Sequence, residues 1–150
     1  MMEKKHSRSN SLVYLLERTQ RQAKQLLQRE FDSDKLNISV DQWIVLARIA
    51  ERPGQNHKQL ADSTAKDPAS ITRILALLLQ QKFVKKTPDK KDKRSLLVDI
   101  TPSGKIILTG CEKKTESFRK TAGKGLSQED LNQLKKLLDM LYENSGGKLF

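Results

Sequence analysis

The 150-residue sequence predicts a mainly α-helical chain with one small β-hairpin, and three observations lead there. Apolar residues recur at helical spacing through successive stretches of the chain. Most of these stretches begin at a residue suited to cap a helix, two of them followed at the third helical position by Gln or Asp. From Phe83 the period shortens to that of strands, and two short runs flank a polar tip.

The first helix is expected to follow Asn10 or Ser11 as its cap, with Leu12, Leu15, Leu16, Ala23, Leu26, Leu27 and Phe31 in one apolar stripe. Ser39 with Gln42 makes a capping box opening a second helix, whose buried face is read as Trp43, Leu46, Ala47, Ile49 and Ala50. Arg52, Pro53 and Gly54 stop it, because proline disfavours helix at the residue before it and glycine permits a left-handed turn. A short third helix follows Asn56 and carries Leu60 and Ala61. Asp67 as cap and Pro68 at the first helical position start a fourth, running to about Lys82 with Ile71, Ile74, Leu75 and Leu78 on one face.

Residues 83–87 and 95–100 read as paired strands. Their connection, 88–94, lacks the Asn-Gly or Asp-Gly of a two-residue turn, so a longer, mobile loop is expected. Thr101 and Pro102 cap a fifth helix with Ile106, Ile107, Leu108, Cys111 and Phe118. A break at Gly123 and Gly125 precedes a last helix, capped by Ser127 with Asp130 and faced with Leu131, Leu134, Leu137, Leu138 and Leu141. Gly146 and Gly147 are expected to fray.

The third and fourth helices form a helix-turn-helix, in which the first turns of the longer helix are free to enter a major groove. With the apolar stripe turned inward, Ala69, Ser70, Thr72 and Arg73 face outward, and an arginine there can reach a guanine edge or a phosphate. An ordinary helix with a solvated face would have the same pattern. The adjoining hairpin argues against that reading, since residues 82–94 carry Lys82, Lys85, Lys86, Lys90, Lys91, Lys93 and Arg94 against only Asp89 and Asp92. Such a tip is slim enough to lie along a minor groove, where negative potential favours arginine. Asp92 is read as holding the Arg94 guanidinium in a fixed direction by a charge-assisted pair.

The net charge of +11 suits a polyanionic partner, because neutralising phosphates releases condensed counterions. The single Cys111 excludes an intrachain disulfide and a cysteine zinc site. His6 and His57 are too far apart in sequence to suggest paired metal ligands, and no cofactor motif is present. Nor is there a phosphate loop, a nucleophile elbow or a His/carboxylate cluster, so an enzyme is not expected. No apolar run approaches a membrane span. Residues 1–10 are basic and polar, without the apolar stretch of a secretory leader, so a cytoplasmic chain is expected.

Four segments, in order and suitably spaced, resemble the MarR (multiple antibiotic resistance regulator) family over nearly the whole chain. They are Ser39 to Trp43 with Leu46 and the Arg52, Pro53, Gly54 stop; Lys58, Leu60 and Ala61 followed by Ala69, Ser70, Thr72 and Arg73; Asp92, Arg94 and Ser95 leading to Ile100, Thr101 and Gly104; and the last helix, 127–143. The resemblance implies a homodimeric winged helix-turn-helix transcription regulator that binds double-stranded DNA at a pseudopalindromic operator. Residues 38–100 would form the DNA-binding region, and 1–37 with 101–150 the helical dimerisation region. By position, Ser70, Thr72 and Arg73 would contact the major groove and Arg94, supported by Asp92, would enter the minor groove, with Lys58, Ala69, Lys91 and Lys93 as further DNA-binding residues.

The resemblance also implies release by a small aromatic or amphiphilic effector, with Tyr14 and Trp43 as candidates to line its cleft; both also suit a core or interface aromatic. Cys111 is read as a buried, inert thiol. The sequence departs from the family where a Gly usually ends the fourth helix, since Lys82 stands there, and at Leu77 and Leu79, where polar residues are commoner. The competing reading is a nonspecific or architectural DNA-binding protein, which would want lysines on the fourth helix rather than Ser70 and Thr72.

Overall fold

The computed structural model describes residues 11–149; Asn10, His6 and the rest of the N-terminal segment lie outside the described residues. In chain order the elements are α1 (Leu12–Ser33), α2 (Val40–Glu51), α3 (His57–Ser63), α4 (Pro68–Gln80), β1 (Val84–Pro88), β2 (Leu96–Ile100), α5 (Pro102–Ala122) and α6 (Gln128–Asn144). Mainly α with one antiparallel hairpin is therefore the observed class. Local caps set the helix starts. Ser11, Ser39, Asn56, Asp67, Thr101 and Ser127 each accept a backbone N–H from the first turn, and Ser39, Asn56 and Ser127 complete capping boxes with Gln42, Gln59 and Asp130.

The core is built on α2. Val45, Leu46 and Ile49 are fully buried against Phe31 of α1, Leu60 of α3, Ile71, Leu75 and Leu78 of α4, Val98 of β2 and Cys111 of α5. The buried face differs from the sequence expectation. Val40, Gln42, Val45, Leu46 and Ile49 point inward, while Trp43, Ala47 and Ala50 sit at its half-buried edges. Hydrophobicity alone favoured Trp43, but the i, i+3, i+4, i+7 stripe runs through position 42. Gln42 is tolerated inside because its amide caps its own helix and meets Gln81.

Only the second half of α1 packs into this core, through Leu27 and Phe31; Leu12 and Leu16 remain exposed. Gln28 joins α1 to the start of α2, accepting from the Val40 N–H at 3.0 Å and donating to the Ile38 carbonyl at 3.2 Å. Beside it, Asp41 Oδ1 accepts from Lys24 of α1 at 2.8 Å and from Lys66 of the α3–α4 turn at 2.6 Å. Desolvation pushes this carboxyl up, but the two lysine bonds and charges outweigh it and hold the group below its usual value of 3.8. A carboxyl depressed on folding stabilises the fold above its unfolded pKa, and that contribution disappears as pH falls through the lower folded value. Asp41→Asn should therefore flatten the loss of stability below pH 3.8, read by urea denaturation across the acid range. An unchanged slope would mean that the triad contributes nothing.

The fourth helix ends at Gln80, earlier than expected, and Lys82 itself takes the left-handed conformation with φ 60°. The Phe83 N–H closes onto the Leu78 carbonyl at 2.9 Å and the Lys82 N–H onto Leu79 at 3.0 Å. A lysine in this region carries roughly 1–2 kcal/mol of strain. Lys82→Gly should release it, leaving a net gain of about 0.5–1 kcal/mol after glycine's added chain entropy, visible as a melting temperature raised by about 2 °C. A lower melting temperature would refute the strain.

The strands pair from Val84 with Ile100 to Pro88 with Leu96, and Gln55 adds a bridge to Val98. Leu79 packs half-buried against the core, whereas Leu77 stays 47% exposed. At the other end of the chain Gly146 and Gly147 do not hang free. Their N–H groups close onto the Glu143 and Tyr142 carbonyls at 2.9 Å each, and Gly147 lies against the Tyr142 ring. On α6 no residue is buried: Leu134, Leu137, Leu138 and Met140 are 41–51% exposed. No helix among the described residues is long and apolar enough to cross a membrane.

Candidate nucleic-acid interface

The turn between α3 and α4 is made by Ala65 with φ 52°, and the Lys66 N–H returns to the Ala61 carbonyl at 3.2 Å. It sets α4 across α3 with Ile71, Leu75 and Leu78 inward and Ile74 half-buried. Ala69, Thr72 and Arg73 are consequently exposed on the outer face, as the pattern predicts. Ser70 is half-buried and already engaged. Its N–H and hydroxyl both donate to Asp67, at 2.9 and 2.6 Å, and Arg73 Nη2 leans on its oxygen at 3.4 Å. The two Ser70 bonds, followed by the Arg73 charge, hold the Asp67 carboxyl below its usual value. The helix cap thus also orders the first hydrogen-bonding residues of the outer face.

Two residues on, the Thr72 hydroxyl lies 3.0 Å from the Pro68 carbonyl and 2.8 Å from His57 Nε2, which reaches across from the first position of α3. The sequence pattern excludes His57 only from a metal pair with His6 and gives it no partner. Its link to Thr72 depends on the crossing of two helices and has no sequence signal.

The wing connection spans 89–95 and is closed by its own bonds. The Asp89 N–H donates to Ser95 O and the Ser95 N–H to Asp92 O, both at 2.9 Å, while Asp89 Oδ1 accepts from the Lys91 N–H at 2.8 Å. Asp92 does not aim the Arg94 side chain as expected. Its Oδ1 accepts the Arg94 backbone N–H at 3.1 Å, and the two side chains form no ion pair among the described residues. An aspartate two residues ahead of an amide is placed for this local turn, and the turn takes the carboxylate before the guanidinium can. Lys58, His57, Lys86, Asp92 and Arg94 line one groove of about 470 Å³ between the helix-turn-helix and the wing. Lys91 and Lys93 are exposed at the tip and do not line that groove.

Two clamps fix the wing to the body. Lys82 O accepts from the hydroxyls of Thr101 at 2.7 Å and Ser103 at 2.9 Å. Buried Gln55 donates to Arg52 O at 2.8 Å, accepts from Ser63 Oγ at 3.1 Å, and receives the Val98 N–H on its carbonyl at 2.9 Å. A glutamine beside a proline–glycine stop reads as loop, so only its burial identifies it.

Tyr14 and Trp43 do not share a cleft within the chain. Trp43 meets Phe31 edge to face, with centroids 5.9 Å apart, and lines a cavity of about 420 Å³ with Ile44, Ala47, Arg48, Tyr142 and Leu149. Its buried indole N–H has no acceptor among the described residues. Tyr14 stands 44% exposed near the other end of α1, with the Arg18 guanidinium 5.7 Å from its ring centroid. The separation follows from helix rise: Tyr14 lies about 25 Å along α1 from Phe31, where α2 packs. Cys111 is fully buried, and burial followed by the Glu112 charge pushes its thiol up to about 11, so it is protonated at neutral pH.

A family model described as MarR family matches residues 38–96, the span from the start of α2 through the wing. The organic hydroperoxide resistance transcriptional regulator of Bacillus subtilis is 30% identical over 113 residues, covering 73% of this chain and 74% of that protein. Among solved structures, a MarR mutant from E. coli complexed with operator DNA superposes with a TM-score of 0.81 at 22% identity, covering 93% of this chain and 99% of that one. BpsR of Bordetella bronchiseptica, whose DNA binding is regulated by 6-hydroxynicotinic acid, gives a TM-score of 0.82 at 21% identity over 90% and 95% of the two chains. With the helix-turn-helix, the wing and the flanking helices all accounted for by these likenesses, the chain belongs to the MarR family of transcription regulators.

Proposed function

We propose that the protein regulates transcription as a homodimer on a pseudopalindromic operator, with α4 in the major groove and the wing in the minor groove. The carrying observation is the outer face of α4, which sets Thr72 and Arg73 beside a hairpin whose Lys85, Lys86, Lys90, Lys91, Lys93 and Arg94 are all exposed. Lysines bind any duplex through its phosphates, whereas a hydroxyl and one arginine on a groove-sized helix suit base edges. The operator-bound MarR structure of the same fold supports this docking.

Residues 38–100 form the DNA-binding region in this reading, and 1–37 with 101–150 the dimerisation region. Support comes from the leucines of α6 and the first half of α1, which flank a cleft of about 680 Å³ lined by Leu15, Leu16, Leu134 and Leu138. Apolar surface of that kind calls for a partner. A small aromatic or amphiphilic effector would release the DNA. The Trp43 cavity supports this with apolar walls, a free indole N–H and Arg48 at its edge, as does the regulation of BpsR by 6-hydroxynicotinic acid.

Selection of bound duplexes from a random library at defined salt tests the reading. The expected result is an inverted repeat with half-sites about one helical turn, roughly 10 base pairs, apart. A library that yields no motif would replace the regulator by an architectural binder.

A further inference from the structure

We propose that His57 is a positioning residue for sequence reading: it holds the Thr72 hydroxyl so that α4 offers the DNA an acceptor, which favours a base bearing an exocyclic amino group. The proposal rests on the reading of α4 as the base-reading helix.

Thr72 has one hydroxyl proton and lone pairs for two acceptor contacts. Its oxygen lies 3.0 Å from the Pro68 carbonyl and 2.8 Å from His57 Nε2. When Nε2 carries a proton it donates into a Thr72 lone pair, and the hydroxyl proton goes to the Pro68 carbonyl. When Nε2 is bare, it takes the hydroxyl proton itself. In every protonation form of the imidazole the threonine proton is therefore used inside the protein, and what remains for the groove is a lone pair. Adenine N6 and cytosine N4 present amino groups there, whereas guanine O6 and thymine O4 present acceptors.

His57 also fixes the rotamer. Threonine in a helix divides between two χ1 wells, because its hydroxyl can back-bond to the preceding turn. The imidazole adds a second bond to one of those wells, so methyl and hydroxyl cannot exchange places without losing it. Without His57 the side chain is free to present either face, and a lone threonine serves donors and acceptors alike. Lys58, Lys86, Asp92 and Arg94 line the same groove as His57, yet none of them bonds to Thr72.

Parallel selections from a random duplex library, using the full-length wild type, Thr72→Val, His57→Phe and His57→Gln, test this. Thr72→Val keeps the shape and removes the hydroxyl; His57→Phe keeps a ring and removes the nitrogen; His57→Gln restores a donor. At the base pair where Thr72→Val loses discrimination, His57→Phe should lower the preference for the amino-bearing base by about fivefold, the size of one hydrogen bond. His57→Gln should recover it, and the preferences at the other base pairs of the motif should stay those of the wild type. If Thr72→Val flattens that position while His57→Phe keeps it, His57 does not position Thr72. If His57→Phe weakens every duplex alike, it marks a phosphate contact and overturns the proposal. A wild-type selection with no motif would instead remove the base-reading assignment of α4 itself.

Discussion

Gly104→Ala is expected to cost about 3 kcal/mol of folding stability and to weaken DNA binding through the wing, although residue 104 lies outside the proposed contacts. Gly104 is buried in the first turn of α5, directly beneath the wing's exit. A Cβ there would collide with the Phe83 carbonyl oxygen and stand 2.8 Å from Ile100 Cγ1. The carbonyl cannot yield cheaply, because it accepts the Thr101 N–H at 3.0 Å. The next carbonyl back, Lys82 O, is held by Thr101 and Ser103. Relief would need β1 to lift away from α5, which would displace the wing relative to α4. Urea denaturation should give the lost stability, and the melting point should fall by roughly 10 °C. A loss below about 0.5 kcal/mol, an ordinary surface effect, would show that the close approach is not tight.

Arg73→Ala should reduce affinity for a selected operator by about tenfold to hundredfold, the range of an arginine that reads a guanine edge. On random duplex the loss should be much smaller. The contrast follows from geometry: Arg73 is exposed on the outer face of α4 and leans on Ser70, which Asp67 holds in turn. An arginine placed by such a chain has lost part of its rotamer freedom before DNA arrives, which lowers the cost of binding. Paired titrations of operator and random duplex at one salt concentration measure the difference. Equal losses on both would reduce Arg73 to a phosphate contact and remove the main support for specific reading. Arg73→Lys should recover random-duplex binding but not the operator preference, since an ammonium lacks the bidentate fork.

Much of the fold was legible because helix starts are local events. Ser39 with Gln42 and Ser127 with Asp130 each satisfy orphan N–H groups within four residues, so they can be read without knowing what the helix packs on. The outer face of α4 was legible for a related reason: Ile71, Leu75 and Leu78 define a stripe, and the opposite side follows from the helical period. The hairpin was bracketed to within a residue or so, its ends being the least determined part.

Local pattern falls short wherever a residue has a choice of partner. Asp92 could bond a guanidinium or a nearer amide, and took the amide. Tyr14 and Trp43 carry similar chemistry, but a helix of 22 residues keeps them apart.

The sequence by itself determined the order and class of the elements, the basic wing, and the outer face of α4, because each depends on residues a few positions apart. Only the tertiary structure decided that Lys82 adopts the left-handed turn, that Gln55 is buried between α2 and the wing, that Gly104 touches Phe83, and that His57 meets Thr72. Those outcomes depend on how helices cross and on which carbonyls remain unpaired when they do. Packing and hydrogen-bond satisfaction settle such questions over the whole domain, and no local pattern records them.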